Sequence, residues 1–462
     1  MSIKLPNESP LSRIPTPVMV GVWLLALVLA AACLIYALLA PSGGGEVAST
    51  KATPTLSKTV QAVSAKTPTK PAAAQAQGGA ATPAPAGKST PAPTVEPGAA
   101  SGGATATTLP LNETFGYGIQ VNGLDDPDGS VGMTKKLGMT WIKQQVKWGS
   151  LEYEQGNMDW SGLDRIVRKA SKADLKVMLS IVTAPTWSHP AIEAIQAPPD
   201  DLNLYANFVG QVVDHYKSQG YPVHAVEVWN EQNLDREWLV NPQKIDAARY
   251  VQMLSLTYKK VKALDPNIVV ISGALSPTGQ DNGVNFVDDF KYLQQMVNAG
   301  LLNSADCIGI HHNGYNIAPD VLYQDAPKNP KAATATFRGP FDNPDHSWSF
   351  RTTLERSSQI VGGKKPLCIT EFGWPSSEGI TTPTRPGFEF SKDNTLQDQA
   401  DYIIQAFQLM KQWGFVKIAF LWNLNFFNVT DDPATTDNAI YSVLDPNARA
   451  RPAFDALEKM PK

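Results

Sequence analysis

The sequence predicts an α/β fold, a (β/α)8 TIM barrel over residues 111–462. Eight short apolar segments follow one another in this region, and helical patterns separate them. Each segment is apolar along nearly its whole length, which is typical of parallel strands that helices cover on the outside. A stretch of about 350 residues suits one barrel with long loops.

The eight predicted strands begin at residues 115, 139, 176, 223, 268, 307, 366 and 416, where the sequence reads FGYGIQV, MTWIKQQV, KVMLSIV, VHAVEVW, IVVISGA, CIGIHH, PLCITEF and VKIAFLW. A helical pattern follows each strand from the second onwards, and the last of these patterns, RPAFDALEKM, has Pro near its first turn. An open doubly wound sheet is the alternative. Such a sheet usually has a glycine-rich loop after its first strand, and GIQVNGLDDPDG contains no G-x-G-x-x-G.

The chain before the barrel is predicted to anchor it. An uncharged apolar run of 22 residues, from Val18 to Leu39, is long enough to span a bilayer. We predict a transmembrane signal-anchor helix over 18–40 and a short cytoplasmic N-terminus over 1–17, because Lys4 and Arg13 precede the run. A cleaved signal peptide is the alternative, although its apolar core is usually shorter.

A compositional change separates this anchor from the barrel. Pro, Ala, Thr, Ser and Gly supply 54 of the 70 residues in 41–110. Such a segment cannot bury enough apolar surface to offset the entropy of ordering it, so we predict a disordered linker. The barrel would then lie outside the cell on a single-pass membrane anchor.

Charge and cysteine content exclude several functions. The net charge is −4 and there is no basic stripe, so nucleic acid is not an expected partner. Three cysteines are too few for a disulfide framework or a Cys-based zinc site. Cys307 shares the parity of His311, whereas Cys368 and Glu371 differ in parity. If both strands are regular, the two thiols face opposite sides of the sheet, and we interpret them as packing residues.

Two predicted strands end in glutamate. Strand four ends in Asn230 and Glu231, and strand seven ends in Glu371. In a closed barrel the strand ends share one face, so both carboxyl groups would meet across one cavity. Cleavage of a glycosidic bond needs such a pair, one group to protonate the leaving oxygen and one to attack the anomeric carbon. Glu227 lies deeper, and we expect it to pair inside the barrel with Lys143 or a Trp N–H.

The two glutamate motifs, EVWNEQN and ITEFGW, together resemble the clan of retaining (β/α)8 glycoside hydrolases. The Trp-Asn-Glu-x-Asn-Leu form is most similar to glycoside hydrolase family 39 and its relatives, with family 5 next. The resemblance covers residues 115–462. It implies that Glu231 is the acid/base, that Glu371 is the nucleophile and that Asn230 binds the 2-hydroxyl of the sugar. No cofactor is implied.

The resemblance also implies further sugar-binding residues. Related enzymes often end strand six in His-x-Tyr. Here His311 takes the first position, Asn313 replaces the Tyr, and Tyr315 is a nearby substitute. We do not expect a metal at His311 and His312, because neighbouring strand residues point to opposite faces.

Three tryptophans complete the predicted site. Trp422, at the end of strand eight, matches the aromatic platform beneath the reacting sugar, with a core position as the alternative. Trp148 and Trp187 would stack on sugar faces or pack the loops. On strand two, where relatives often have an Arg, either Lys143 or Gln145 replaces that Arg, or the contact is absent.

The predicted function is therefore hydrolysis of a β-linked glycan by a membrane-anchored, monomeric, extracellular enzyme. Glu231 must be protonated and Glu371 ionised near the working pH. A separation of about 5–5.5 Å between the carboxyl groups would indicate retention, and about 6.5–9.5 Å inversion. The alternatives are a non-catalytic glycan-binding protein and a transglycosylase with the same residues. The family resemblance suggests xylosides, iduronides or bacterial exopolysaccharides as substrates.

Overall fold

A computed structural model describes residues 114–194, 196–331, 346–426 and 438–462. The predicted anchor, 18–40, and the linker, 41–110, lie outside these residues. In the described parts of the chain, no helix is both long and apolar enough to cross a membrane. All described residues belong to one compact unit.

Eight parallel strands form the barrel, as predicted. They run in the order β5-β4-β3-β2-β1-β8-β7-β6, and bridges from Ile271 to Cys307 and from Leu275 to Ile310 join β5 to the β6 side and close the sheet. The strands are β1 (Gly116–Val121), β2 (Trp141–Lys147), β3 (Lys176–Val182), β4 (Ala225–Val228), β5 (Val269–Ser272), β6 (Ile308–Asn313), β7 (Leu367–Gly373) and β8 (Val416–Leu421).

Each strand is followed by a helix. The helices are α1 (Pro127–Lys136), α2 (Ser161–Lys172), α3 (Leu202–Ser218), α4 (Ala247–Leu264), α5 (Asp289–Asn298), α6 (Phe350–Val361), α7 (Leu396–Trp413) and α8 (Pro452–Lys459). Shorter helical turns are Trp148–Leu151, Thr186–Ser188, Leu301–Asn303, Ala326–Lys328, His346–Trp348, Glu389–Asp393 and Asn438–Tyr441. Helices α2 to α8 match predicted patterns.

Helix α1 was not predicted, because its apolar periodicity is weak. Its buried positions are Pro127, Ser130, Val131 and Thr134, of which only Val131 is a large aliphatic residue. The helix begins instead through local chemistry: the Asp126 carboxylate accepts a hydrogen bond from the Gly129 N–H at 2.9 Å, and Pro127 occupies the first turn.

The lower interior of the barrel is a separate apolar cluster, enclosed by the strands and distinct from the core between strands and helices. Glycine on β1 makes room for it: a Cβ added at Gly118 would lie 2.4 Å from the Phe420 ring. The cluster consists of Trp141, Met178, Ala225, Val269, Ile271, Cys307, Cys368, Ile418 and Phe420.

The two cysteines of this cluster form a disulfide, so the packing interpretation was wrong. Cys307 and Cys368 are bonded, with their Cα atoms 5.8 Å apart. The parity argument failed because β7 is not regular: Ile310 pairs with Ile369, but His311 pairs with Glu371. Thr370 is therefore an extra residue, a β-bulge, and it brings Cys368 and Glu371 to the same side of the sheet.

Glycine at position 118 is predicted to be required for packing. Because the added methyl group would overlap the Phe420 ring, Gly118→Ala should destabilise the fold by about 1–3 kcal/mol in urea unfolding. The control is Gly132→Ala on α1, where an added Cβ meets nothing within 4 Å, and a gain of about 0.5–1 kcal/mol is expected. A Gly118→Ala variant as stable as the wild type would contradict this account.

Candidate active site

A cavity of about 410 Å³ opens at the carboxyl ends of the strands. This is the face on which (β/α)8 barrels carry their active sites. The lining residues come from the ends of six strands and from the loops that follow: Gln145, Lys147, Val182, Thr183, Gln196, Asn230, Glu231, Arg236, Glu237, Asn313, Glu371, Arg385, Trp422 and Asn438.

The end of β4 has unusual backbone geometry. Trp229 and Glu231 have φ values of 73° and 41°, a left-handed conformation that costs a non-glycine residue about 1–3 kcal/mol. Local hydrogen bonds offset this cost. The Glu231 N–H donates to the Ala274 carbonyl at 2.9 Å, and the Trp229 indole donates to the Glu237 carbonyl at 2.7 Å. The strained backbone presents Asn230 and Glu231 to the cavity.

Both carboxyl oxygens of Glu231 have a basic partner. His311 Nδ1 lies 3.2 Å from Oε1, and Arg236 Nη2 donates to Oε2 at 3.3 Å. Burial alone would raise the pKa of Glu231, but the His311 hydrogen bond and the Arg236 charge outweigh it and lower the pKa to about 2. The low pKa favours the ionised form of Glu231, whereas its predicted role requires a proton.

Glu371 lies on the other side of the same imidazole. His311 Nδ1 is 3.8 Å from Glu371 Oε2, so one ring nitrogen stands between the two predicted catalytic carboxyl groups. Burial opposes the protonation of His311, but the charges of Glu371 and Glu231 prevail and raise its pKa. Lys143 fixes the position of Glu371: its Nζ donates to Glu371 Oε1 and to the Thr370 carbonyl, each at 3.0 Å.

Lys143 also pairs with Glu227, which confirms that prediction. Both side chains are fully buried, and Nζ lies 3.3 Å from Glu227 Oε2. Burial would lower the pKa of Lys143, but the Glu227 and Glu371 charges raise it. Burial has the opposite effect on a carboxyl group and would raise the pKa of Glu227, but the Lys143 charge lowers it. Gln145, the other residue considered on this strand, lines the cavity.

The two neighbouring histidines face opposite sides, as expected. His311 lies inside the barrel, whereas His312 Nε2 approaches the Ser347 carbonyl at 3.1 Å on the helix side. Burial lowers the pKa of His312 to about 4. The pair therefore cannot share a ligand.

One group of metal-type ligands does occur in the described part of the chain. Ligand atoms of Asp288, Asp289 and His346 lie within 4.8 Å of one another. Their hydrogen bonds account for the grouping: His346 Nε2 lies 2.7 Å from Asp289 Oδ1, which also accepts from the Thr278 N–H, and Asp288 caps α5. None of the three lines the catalytic cavity.

Two predicted sugar-stacking tryptophans pack the loops instead. Trp148 is only 1% exposed, its ring stacks on Phe208 at 4.9 Å, and its indole donates to Glu152 Oε2 at 2.7 Å. A ring buried in this way has no free face for a sugar. Trp187 is half-buried and packs edge-on against Trp148 at 5.7 Å.

Trp422 and Tyr315 have different positions. Trp422 is half-buried and lines the cavity, where a platform is needed. Tyr315 packs on Phe390, with ring centroids 5.0 Å apart, and belongs to a small cluster around Ile317 beside the cleft loops. Asn313, which replaces the expected Tyr, reaches the cavity itself.

Arg236 and Glu237 line the cavity and were not predicted from the sequence. Arg236 is the cation on Glu231, and the Glu237 side chain hydrogen-bonds that of Asn230. Burial raises the pKa of Glu237 to about 7, and the nearby Glu231 charge adds to the effect. The available signal was a charged pair on the loop that directly follows the acid/base motif.

A larger cavity of about 810 Å³ lies elsewhere, between residues 378–382 and 445–452. Its aspartate, Asp445, is bound by Arg449 of the same turn at 2.7 Å. The pair of carboxyl groups, rather than cavity size, therefore identifies the candidate active site.

The barrel and its two strand-end glutamates resemble retaining glycoside hydrolases. No protein-family model matches the chain, and no curated protein matches it by sequence. A family 39 glycoside hydrolase structure from Bacteroides cellulosilyticus WH2 matches with a TM-score of 0.54 and 18% identity, over 76% of this chain and 64% of that one. The chain thus spans just under two thirds of that protein.

Two further structures are similar. A monomeric β-xylosidase from Caulobacter crescentus CB15 has a TM-score of 0.52 at 18% identity, over 74% of this chain and 67% of that one. Xylanase 10B from Thermotoga petrophila RKU-1, in complex with xylobiose, has a TM-score of 0.50 at 16% identity, over 78% and 98%. At these identities the likeness shows the fold, and the first structure agrees with the family named from the sequence motifs.

The buried pairing of Lys143 yields a stability prediction. Lys143→Met leaves Glu227 buried without its cation, so a loss of about 3–5 kcal/mol in urea unfolding at pH 7 is expected. In the wild type the pKa of Glu227 is lowered, so its stabilising contribution is present at neutral pH and is lost as pH falls through that pKa. In the variant, burial raises the pKa of Glu227. Glu227 therefore takes up a proton as pH falls, and the free-energy cost of its buried charge disappears.

The stability difference between wild type and Lys143→Met should therefore narrow from pH 7 to pH 5. The matched control adds Glu227→Gln to Lys143→Met, which removes the buried charge and should recover part of the loss. An equal loss at every pH would show that Lys143 acts through packing alone.

Proposed function

We propose that this chain is a retaining glycoside hydrolase that cleaves a β-linked glycan. The observation that carries the proposal is the arrangement of Glu231 and Glu371 at the carboxyl face of the barrel, on either side of His311. Lys143 fixes Glu371 from below, and a cavity of about 410 Å³ gives both carboxyl groups access to a ligand.

We propose a double displacement, the mechanism that the resemblance to retaining glycoside hydrolases implies. Glu371 attacks the anomeric carbon while Glu231 transfers a proton to the leaving glycosidic oxygen, and a covalent glycosyl-enzyme forms. Glu231, now ionised, then takes a proton from water. That water attacks the anomeric carbon and releases Glu371 as a carboxylate. Asn230 and Trp422 line the cavity where the reacting sugar would lie.

The candidate substrate class is taken from the similar structures rather than from the two carboxyl groups. The similar structures include a β-xylosidase and a xylanase, so β-xylosides and xylo-oligosaccharides are the first substrates to test. The same two carboxyl groups would serve a transglycosylase, in which a sugar rather than water accepts the glycosyl group.

We further propose that the domain is held outside the cell by the segment 18–40. The 22-residue apolar run from Val18 to Leu39 supports an anchor. The disulfide between Cys307 and Cys368 supports an extracellular position, since such bonds persist mainly in oxidising compartments.

Replacement of the nucleophile tests the catalytic proposal. Glu371→Gln should lower turnover of a 4-nitrophenyl β-glycoside by at least about a thousand-fold, because the covalent intermediate can no longer form. Glu458→Gln, on α8 beside Lys136, is the control and should retain activity. NMR of the wild-type reaction should show the β-anomer first. Undiminished hydrolysis by Glu371→Gln would refute the assignment, and glycan binding without hydrolysis by the wild type would favour a binding protein.

Cell fractionation tests the proposed location. The full chain should sediment with membranes, and a chain lacking residues 1–40 should be released into the soluble fraction. Protease added to intact spheroplasts should remove the barrel of the anchored form. Protection of the barrel in that experiment would place it in the cytoplasm.

A further inference from the structure

Each carboxyl oxygen of Glu231 has a basic partner. Oε1 faces His311, which is fully buried, at 3.2 Å, whereas Oε2 faces Arg236 at 3.3 Å. The Arg236 side chain is 54% exposed and lines the cavity. Oε2 is therefore the oxygen turned towards the cleft, and it is the one that can reach the leaving oxygen of a glycan.

The contact with Arg236 conflicts with proton donation. A guanidinium offers only donor hydrogens, so it binds the ionised form of a carboxyl group. A general acid needs a proton on the oxygen that faces the substrate. Arg236 must therefore leave Oε2 before Glu231 can act as an acid.

Glu237 is placed to receive Arg236. It is the next residue, it lines the same cavity, and the Trp229 indole holds its carbonyl at 2.7 Å. The charged groups that act on it are Glu231, Arg236 and Glu371. The other cations of the cavity lining come from other parts of the chain: Lys147 ends β2, and Arg385 lies on the loop after β7.

We propose that Glu237 is a positioning residue that takes Arg236 over from Glu231 when a glycan is seated. This inference rests on the proposed glycosidase function. In the first state Glu231 is ionised and paired with Arg236 at 3.3 Å, and a proton is held on Glu237. In the second state Glu237 gives its proton to water and pairs with Arg236, and Glu231 takes up a proton from water. The total charge does not change.

The pKa shifts of the two carboxyl groups agree with this exchange. The pKa of Glu237 is raised to about 7, mainly by burial, and that of Glu231 is lowered to about 2 by His311 and Arg236 despite burial. These shifts favour a proton on Glu237 over one on Glu231.

Glu237→Gln tests the exchange, because glutamine keeps the size and the hydrogen bond to Asn230 but cannot neutralise Arg236. The substrates are a panel of 4-nitrophenyl β-glycosides and the matching β-linked disaccharides. At pH 7, kcat/KM for the disaccharide should fall by about tenfold or more, and clearly less for the nitrophenyl substrate, whose leaving group needs little protonation. The pH optimum for the disaccharide should move to lower pH.

A second substitution gives the reverse effect. With Arg236→Gln added to Glu237→Gln, the cation no longer holds Glu231 ionised, so disaccharide activity at pH 7 should rise above that of Glu237→Gln alone. Should Glu237→Gln fail to fold, Arg236→Gln alone tests the point, since the alkaline limb of its disaccharide pH profile, where Glu231 loses its proton, should move to higher pH. Glu355→Gln, from the Arg351–Glu355 pair on α6, is the matched control and should leave the ratio of the two substrates unchanged.

The outcomes separate this inference from the proposed function. If Glu237→Gln slows both substrates equally, or if the double variant is no more active than Glu237→Gln, the exchange is overturned while the glycosidase assignment stands. If the wild type hydrolyses no member of the panel, or if Glu371→Gln retains activity, the proposed function is overturned and the exchange with it.

Discussion

The candidate active site depends on one buried ammonium group, that of Lys143 on β2. A buried charge is costly unless it is paired and hydrogen-bonded, and Lys143 finds its partners on two other strands. Glu227 on β4 and both Glu371 and the Thr370 carbonyl on β7 lie within 3.3 Å of its Nζ. The interaction that makes a lysine tolerable at the centre of the barrel thus also holds the predicted nucleophile in place.

The bulge in β7 completes this interaction. Thr370 is the extra residue in the pairing with β6, so its carbonyl leaves the regular ladder, and Lys143 bonds it at 3.0 Å. The same extra residue turns Glu371 inward, on the side of the sheet where Cys368 is already bonded to Cys307. Bulges commonly re-aim side chains beside active sites. On a strand without this bulge, Cys368 and Glu371 would face opposite sides of the sheet because they are three residues apart.

The parts of this structure that could be predicted from sequence are those that local composition or burial cost determines. Apolar runs located all eight strands, and the cost of a buried carboxylate led to the Lys143–Glu227 pair. The bulge could not be predicted, because Thr370 and Glu371 read as an ordinary strand end and the parity argument assumed a regular strand. Helix α1 was not predicted from apolar periodicity, because it begins with a side-chain cap and a proline and has no continuous apolar face.

Loop residues were predicted less well, for a related reason. A tryptophan at a strand end suits a sugar platform and a loop core equally, and only the course of the chain shows that Trp148 stacks on Phe208 while Trp422 faces the cavity. The positions of Arg236 and Glu237 depend on a loop that returns to β4, where the Trp229 indole binds the Glu237 carbonyl. Apolar periodicity in a sequence does not indicate that a loop folds back onto a strand in this way.

The two carboxyl groups are held by different physical means, and the difference matches their proposed tasks. Glu371 is bound by a fully buried lysine from the barrel interior, which suits a nucleophile whose position must not change. Glu231 is bound on its cleft side by a half-exposed arginine from its own loop, a contact that is weak and exchangeable because solvent screens it. An acid/base must lose and regain a proton in every turnover, so a permanent buried cation on its cleft-facing oxygen would prevent its function. A fixed ion pair for Glu371 and an exchangeable one for Glu231 are therefore what a double displacement requires.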